Sequence, residues 1–108
     1  MTSVYRVERW TGSSAPSARE LKQRMELEGF RVFKWRDGPG TYYSPHSHGE
    51  EQSHWILAGT LELRVAGFGT FQLVAGDRDF MPAHTEHEAT VVGDESVFYL
   101  IGERGGEL

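Results

Sequence analysis

The stretch that decides the fold lies near the middle of the chain, where residues 40–59 read GTYYSPHSHGEEQSHWILAG. Two histidines, His46 and His48, are separated by a single residue, and a glycine bounds the stretch on each side. Because residues two apart on a β-strand project from the same face, a strand here presents two imidazoles to one point. Gln52 has the same parity, so we expect its side chain to reach that point as well.

A third imidazole for the same point has to come from another strand, and His87 is the candidate. His87 follows a turn between Gly76 and Pro82, and it shares its parity with Ala89 and Val91, as in a strand with one buried face. Imidazole binds several divalent metals, so three histidines predict a metal site without selecting the metal. The alternative is that His46 and its neighbour form a surface pair with no further partner.

Short strands interrupted by glycines make up most of the remaining sequence. Apolar and polar residues alternate over residues 60–65, and glycine supplies 13 of the 108 residues, which favours many tight turns. A helix over residues 18–28 is the exception, because Ser17 and Glu20 form a capping box and Gly29 suits its end. We therefore predict an all-β fold, a sandwich or small antiparallel barrel, with one short N-terminal helix.

The length of the chain suits a single domain, and we predict that residues 1–108 form it. Residues 1–29 are expected to supply an N-terminal strand at 4–10 and the helix. Residues 30–102 would form the barrel, and residues 103–108 would form a frayed tail.

The composition excludes several classes of function. Cysteine is absent, so disulfides and thiol nucleophiles are excluded, and nitrogen or oxygen atoms must hold any metal. The formal net charge of −5 at pH 7 argues against nucleic acid or an anionic membrane as a partner. No secretory signal or membrane-spanning stretch is visible, so we expect a cytoplasmic protein.

The histidines and glycines together resemble the cupin superfamily. Its first motif places a glycine, a His-x-His pair, a glutamate and a second glycine at fixed spacing, and the matching residues here are Gly40, His46, His48 and Gly59. Gln52 stands in the glutamate position. The second motif leads from a glycine through Pro-x-Gly to a histidine and an asparagine, and the matching residues are Gly76, Pro82 and His87. His84 and Val91 replace the second glycine and the asparagine.

The resemblance implies a small antiparallel β-barrel of the double-stranded β-helix, or jelly-roll, type. A divalent metal (Zn, Fe, Ni or Mn) would be held inside it by His46, His48 and His87, with Gln52 as a fourth ligand. Glutamine offers a neutral oxygen where glutamate would offer a charge, so the metal would keep its full positive charge and bind less tightly. Glu50 has the same parity and is the alternative ligand if the local register shifts.

Other side chains near the motifs allow more than one interpretation. His54 is either a catalytic base or donor in the cavity, or a hydrogen-bonded histidine of the barrel interior. His84 is either an exposed turn residue or a group above the metal. Tyr42 and Trp55 are predicted to line a substrate pocket, because they adjoin the ligand positions. The charged run 77–79 is expected to be a solvated turn.

The sequence leaves the function open among three classes. The first is a metal-dependent protein that acts on a small organic molecule, with oxygenase-, isomerase- or lyase-like chemistry. The second is a non-catalytic barrel that binds a small ligand or senses a metal, and the third is a structural barrel whose histidines bind nothing. Whether the chain is an enzyme is therefore undecided at this point. The apolar strand predicted at 4–10 favours a homodimer, because an edge strand can extend the sheet of a second copy.

Overall fold

The computed structural model describes residues 4–105, which form two antiparallel β-sheets and one α-helix. In chain order the elements are β1 (Arg6–Glu8), α1 (Ala18–Leu27), β2 (Arg31–Asp37), β3 (Tyr42–His46), β4 (Glu51–Ala58), β5 (Thr60–Val65), β6 (Gly69–Leu73), β7 (Arg78–Phe80), β8 (His87–Val92) and β9 (Val97–Arg104). The all-β fold with one short N-terminal helix is therefore confirmed.

The two sheets face each other and enclose the main core. The first sheet has the strand order β1-β7-β4-β9-β2, and the second has the order β3-β8-β5-β6. Side chains alternate between buried and more exposed positions along β5 and β8, so one face of each strand packs inward. The most deeply buried apolar residues of this core are Ile56, Leu61, Leu63, Leu73, Met81, Val91 and Val97. Where polar and aromatic side chains replace aliphatic ones, the space between the sheets opens into a cavity.

The helix covers the outer face of the first sheet. It begins after Ser17, whose hydroxyl accepts a hydrogen bond from the backbone N–H of Glu20, and it is followed by Gly29 with a φ of +97°. Leu21 and Met25 are buried, and they pack in a second apolar cluster with Phe30, Trp55 and Leu100. Within the described residues, no helix has the length and apolar character needed to cross a membrane.

The turn between β4 and β5 requires glycine. Gly59 has a φ of +81°, and an added Cβ would overlap the backbone oxygen of Ser96. Since β4 belongs to the first sheet and β5 to the second, this turn carries the chain from one face of the cavity to the other.

Both ends of the chain differ from the prediction. The N-terminal strand is shorter than residues 4–10, because the backbone N–H of Trp10 donates to the carboxylate of Asp77 instead of continuing the ladder. The expected C-terminal tail is wrong for Glu103 and Arg104, which belong to β9 between the flanking strands β2 and β4. An ion pair of 2.8 Å between Arg104 and Glu51 holds this end in the sheet. Residues 106–108 of the predicted tail lie outside the described part.

Candidate metal centre

Three imidazoles converge at one end of the space between the sheets. His46 is the last residue of β3, His87 is the first residue of β8, and the two are paired across the ladder. His48 lies in the loop just after β3 and not on the strand as predicted, yet its ring still joins the other two. One potential ligand atom from each histidine lies within 4.8 Å of the others. The convergence predicted from parity is therefore present in the fold.

Backbone carbonyls orient two of the three rings. Nδ1 of His46 lies 2.6 Å from the carbonyl oxygen of Ser44, and Nδ1 of His87 lies 2.9 Å from that of Thr85. A carbonyl oxygen can only accept, so each Nδ1 carries the proton and donates it. This leaves Nε2 of both rings unprotonated in the neutral form and available to bind a metal.

The surroundings favour neutral imidazoles, which is the form that binds metals. Burial lowers the pKa of His87 to about 4, and the neighbouring histidines act in the same direction, while the bond to Thr85 opposes them. Burial also lowers the pKa of His48, and the neighbouring His46 adds to this effect. Near neutral pH a metal therefore has little competition from protons at these two rings.

Gln52 lines the same cavity as the three histidines. Its Nε2 donates to a carboxylate oxygen of Glu103 at 2.9 Å, and since a carboxylate only accepts, this bond fixes the orientation of the amide. Its Oε1 is the single buried side-chain polar atom without a hydrogen-bond partner among residues 4–105. An unpaired carbonyl oxygen on a residue that shares a cavity with three imidazoles fits the coordination of a cation.

Glu50 does not take the place of Gln52. Its two carboxylate oxygens accept hydrogen bonds from Arg31 at 2.7 and 2.9 Å on the outside of the sheet. At the start of β4 the pairing is regular, with Gln52 opposite Glu103, and the one register shift of this strand pair lies further along, between Ile56 and Ala58. The alternative ligand is therefore wrong for this structure.

A cavity of about 190 Å³ adjoins the histidines. It is lined by Trp35, Tyr43, His46, His48, Gln52, His54, Leu61, Leu63, His87, Ala89, Tyr99 and Ile101. This volume is below that of pockets for drug-sized ligands and suits a small molecule. The aromatic part of the lining, formed by Trp35, Tyr43 and Tyr99, is called the aromatic wall here.

The two predicted pocket residues lie outside this lining. A β-bulge between Tyr43 and His46 adds one residue to β3, so Tyr43 faces inward together with the histidine although their parities differ. Tyr42 therefore faces outward, where it is exposed and donates to Glu88 at 3.0 Å. Trp55 follows His54 on β4 and so lies on the opposite face, packed under the helix.

One carboxylate holds all three rings of the aromatic wall. Asp37 is buried at the end of β2, and its oxygens accept from Nε1 of Trp35 at 3.2 Å, from Tyr43 at 2.7 Å and from Tyr99 at 2.8 Å. Burial and the bond to Asp37 raise the pKa of Tyr99 and of Tyr43. Both hydroxyls therefore stay protonated as donors. Asp37 was not among the residues predicted from the sequence, although it shares its parity with Trp35 on one strand.

A second buried carboxylate supports His54. Asp79 accepts from the Nδ1 of His54 at 3.0 Å, from its backbone N–H at 2.7 Å and from the hydroxyl of Tyr5 at 2.9 Å. Burial alone would lower the pKa of His54, but the carboxylate of Asp79 outweighs it, so the pKa is raised. Nε2 is the ring nitrogen that remains available to a ligand in the cavity.

The charged run 77–79 is buried, so its prediction as a solvated turn is wrong. Arg78 donates to both carboxylate oxygens of Glu28 and stacks 4.1 Å over the ring of Trp55. Asp77 accepts from the backbone N–H groups of Trp10 and Val74. Each charge in this run is buried together with partners from distant parts of the chain.

His84 is an exposed turn residue. It has a φ of +65°, the only positive φ of a non-glycine residue among residues 4–105, and it stands where the motif prefers glycine. Its side chain is outside the cavity lining. Its backbone N–H donates to the carbonyl oxygen of His48 at 2.7 Å, so the turn supports the loop that carries one histidine.

Comparison with known proteins defines the class of this chain. A family model described as a Cupin domain matches residues 33–101, which is more than half of the sequence, so the chain belongs to the cupin family. No protein of curated function matches the sequence.

Several solved structures share the fold. DMSP lyase DddQ from Ruegeria pomeroyi DSS-3 matches with a TM-score of 0.64 and 32% identity, over 70% of this chain and 38% of its own. KdgF from a Halomonas species matches with a TM-score of 0.57 and 26% identity, over 70% of this chain and 71% of its own. A mutant of Bacillus subtilis oxalate decarboxylase OxdC reaches a TM-score of 0.63 at 22% identity, over 71% and 22% of the two chains, which shows the fold alone. This chain spans less than half of the DMSP lyase.

Proposed function

We propose that this cupin binds a divalent metal through His46, His48 and His87 and acts on a small organic molecule in the adjoining cavity. The observation that carries the proposal is the cluster of three imidazoles, together with the unpaired oxygen of Gln52, a residue that lines the same cavity. A set of neutral ligands leaves the charge of the ion undiminished. The candidates for the ion are Zn, Fe, Ni and Mn.

The residues around the cavity support a role in binding and orientation. A bound metal would supply Lewis acidity toward an oxygen atom of the substrate. Leu61, Leu63 and Ile101 give the cavity an apolar part, which excludes water from a bound molecule. His54 is our candidate for a hydrogen bond to the substrate through Nε2, with Asp79 as the residue that positions its ring.

Lyase chemistry is the reaction class that we favour among oxygenase-, isomerase- and lyase-like activities. The support is the 32% identity to a protein described as a DMSP lyase. Since the present chain covers only 38% of that enzyme, both the activity and the substrate belong to the proposal.

Metal analysis of the protein purified without a histidine tag tests the metal site. We expect close to one metal ion per chain, and we expect its loss in His46→Ala and in His87→Ala. His84→Ala is the matched control, because His84 is an exposed histidine outside the cavity. Absence of metal after supplementation with each candidate ion would contradict the proposal.

A substrate screen separates an enzyme from a non-catalytic carrier. The Fe, Ni, Mn and Zn forms are incubated with panels of small organic acids and examined for products by mass spectrometry. Turnover that is lost in His54→Gln while metal content is retained supports the catalytic function. Ligand binding without any turnover supports the sensor or carrier instead.

A homodimer and a cytoplasmic location stay predictions. Among the strands of residues 4–105, β1 lies at one edge of the first sheet and pairs with β7 alone, so its other side is available to a strand of a second copy. We expect light scattering after chromatography to give the mass of a dimer. A monomer at micromolar concentration would contradict this.

A further inference from the structure

The carboxylate of Asp37 is a buried negative charge surrounded by neutral partners. It is 8% exposed, and its hydrogen-bond donors are the ring ends of Trp35, Tyr43 and Tyr99. Among residues 4–105, Asp37 takes part in no ion pair. Hydrogen bonds satisfy its lone pairs but do not cancel its charge, and a buried charge without a counter-charge is unfavourable. A positively charged group in the cavity would supply the missing counter-charge.

The rings held by Asp37 are suited to a cation as well. All three line the cavity, and their polar ends point to the carboxylate, so the surface left for a ligand is mainly π surface. The faces of tryptophan and tyrosine attract cations that lie within about 6 Å of the ring centre. The aromatic wall and the charge behind it therefore favour the same kind of ligand group.

The hydrogen bonds select among possible cations. A primary ammonium or a guanidinium group needs acceptors for its N–H donors, and burial without them is costly. The oxygens of Asp37 already accept three hydrogen bonds, so few lone pairs are left for such donors. A methylated onium group, such as trimethylammonium or dimethylsulfonium, carries its charge without any N–H and fits π surface.

We propose that the aromatic wall binds a methylated onium group of a small molecule. Resting on the proposed function, the same molecule carries a carboxylate or another oxygen donor that reaches the metal centre. The cavity of about 190 Å³ limits it to a short zwitterion.

A pair of ligands with equal shape isolates the charge. Glycine betaine and 3,3-dimethylbutanoate differ in a single atom, the quaternary nitrogen that is replaced by carbon, and both keep the carboxylate. We expect calorimetry on the metal-loaded protein to show betaine binding at least tenfold more tightly. Glycine, which has N–H donors in place of the methyl groups, should bind more weakly than betaine. Equal affinity for the isosteric pair, or no binding of betaine, would overturn the proposal.

Matched variants connect the preference to the aromatic wall. Trp35 and Phe33 lie on the same strand and are both 49% exposed, but only Trp35 lines the cavity. Trp35→Leu should lower betaine affinity about threefold to tenfold, and Phe33→Leu should leave it unchanged. Asp37→Asn should reduce the preference for betaine over its carbon isostere to less than threefold. The melting temperature of the Asp37→Asn protein shows whether this variant is folded. Tyr43→Phe is a milder second test, because it removes one hydrogen bond to Asp37 and keeps the aromatic ring. An unchanged preference in folded Trp35→Leu and Asp37→Asn protein would contradict the role of the wall.

A ligand without oxygen separates this proposal from the metal site. Tetramethylammonium has no metal ligand, so its binding reports the aromatic wall alone. We expect it to bind chelator-treated protein and the His46→Ala variant within threefold of the untreated protein, as measured by ligand-observed NMR. If the metal site fails and tetramethylammonium still binds, the proposed function is wrong and the onium site stands. If metal is bound and tetramethylammonium is not, the onium site is wrong.

Discussion

The three-histidine cluster, which is our proposed metal centre, and the aromatic wall line one cavity but are held in place by different means. At the metal centre, backbone carbonyls of Ser44 and Thr85 orient two imidazoles. At the aromatic wall, a single side chain, Asp37, orients three rings. A backbone carbonyl persists when the side chain of its residue changes, whereas a carboxylate does not. The metal centre should therefore tolerate substitutions around it, while the wall should respond as a unit to a change at Asp37.

The largest effect is expected at the metal centre itself. His87→Ala removes a proposed ligand, and we expect the metal affinity to fall by at least about 100-fold in competition with a chelator. Thr85→Ala keeps the carbonyl that orients His87, so its affinity should stay within about threefold of the original. An equal loss in Thr85→Ala would contradict the assignment of support to the backbone.

The next effect is a pH dependence of the metal-free protein. The pKa of His87 is about 4 in the fold against 6.5 as the ordinary value, so the unfolded chain takes up a proton first as the pH falls. The contribution of His87 to the free energy of unfolding should therefore be highest above pH 6.5 and decrease by about 2 kcal/mol between pH 6.5 and 4. Urea unfolding in the presence of a chelator measures it. In His87→Gln the free energy of unfolding should depend less on pH. If it changes with pH in the same way in the variant and in the original protein, His87 is not responsible.

At the aromatic wall, two tyrosines that share one acceptor should differ in their contribution. Tyr99 is 4% exposed and Tyr43 is 36% exposed, while each donates to Asp37. We expect Tyr99→Phe to lower the free energy of unfolding by about 2 kcal/mol and Tyr43→Phe by about 1 kcal/mol. Tyr42→Phe is the control, because this hydroxyl bonds to Glu88 on the surface, and its effect should stay below about 0.5 kcal/mol. A larger loss for the control than for Tyr99→Phe would refute the ranking.

The smallest effect is expected at the neutral amide of Gln52, which lines the same cavity. Gln52→Glu should raise metal affinity about tenfold, because an anionic ligand partly neutralises the ion. Without metal, the same carboxylate would face Glu103, so the free energy of unfolding should fall by about 1 kcal/mol. Metal titration and chelator-treated unfolding measure the two changes. No change in affinity would mean that residue 52 does not contact the metal.

The convergence of the histidines could be predicted from the sequence, because it depends on local periodicity. His87, Ala89 and Val91 are buried along one face of β8, as their parity indicates. The pairing of His46 with His87 then follows from two neighbouring strands whose faces both point inward. The same periodicity fails at His48, which already lies in a loop.

The aromatic wall and the buried carboxylates could not be predicted in this way. The bulge in β3 reverses the parity of Tyr42 and Tyr43. Pro45 lies in this stretch, but proline within a strand is found at sheet edges as well as at bulges, so it does not by itself predict the reversal. Asp79 is bonded to a residue 74 positions away, and Asp37 to one 62 positions away. Charged residues in a short segment look solvated until such distant partners are known.

The bulge in β3 has a consequence for how proteins of this kind can diversify. Because of the additional residue between Tyr43 and His46, the side chain that β3 directs into the cavity upstream of the bulge can change without moving the imidazole of His46. If β3 paired regularly with all its residues kept and His46 still opposite His87, Ser44 would lie opposite Ala89, and Tyr42 would face the cavity in place of Tyr43. A substitution that removes the bulge can thus exchange the aromatic side chain presented to the cavity in one evolutionary step, while the paired histidines are inherited unchanged.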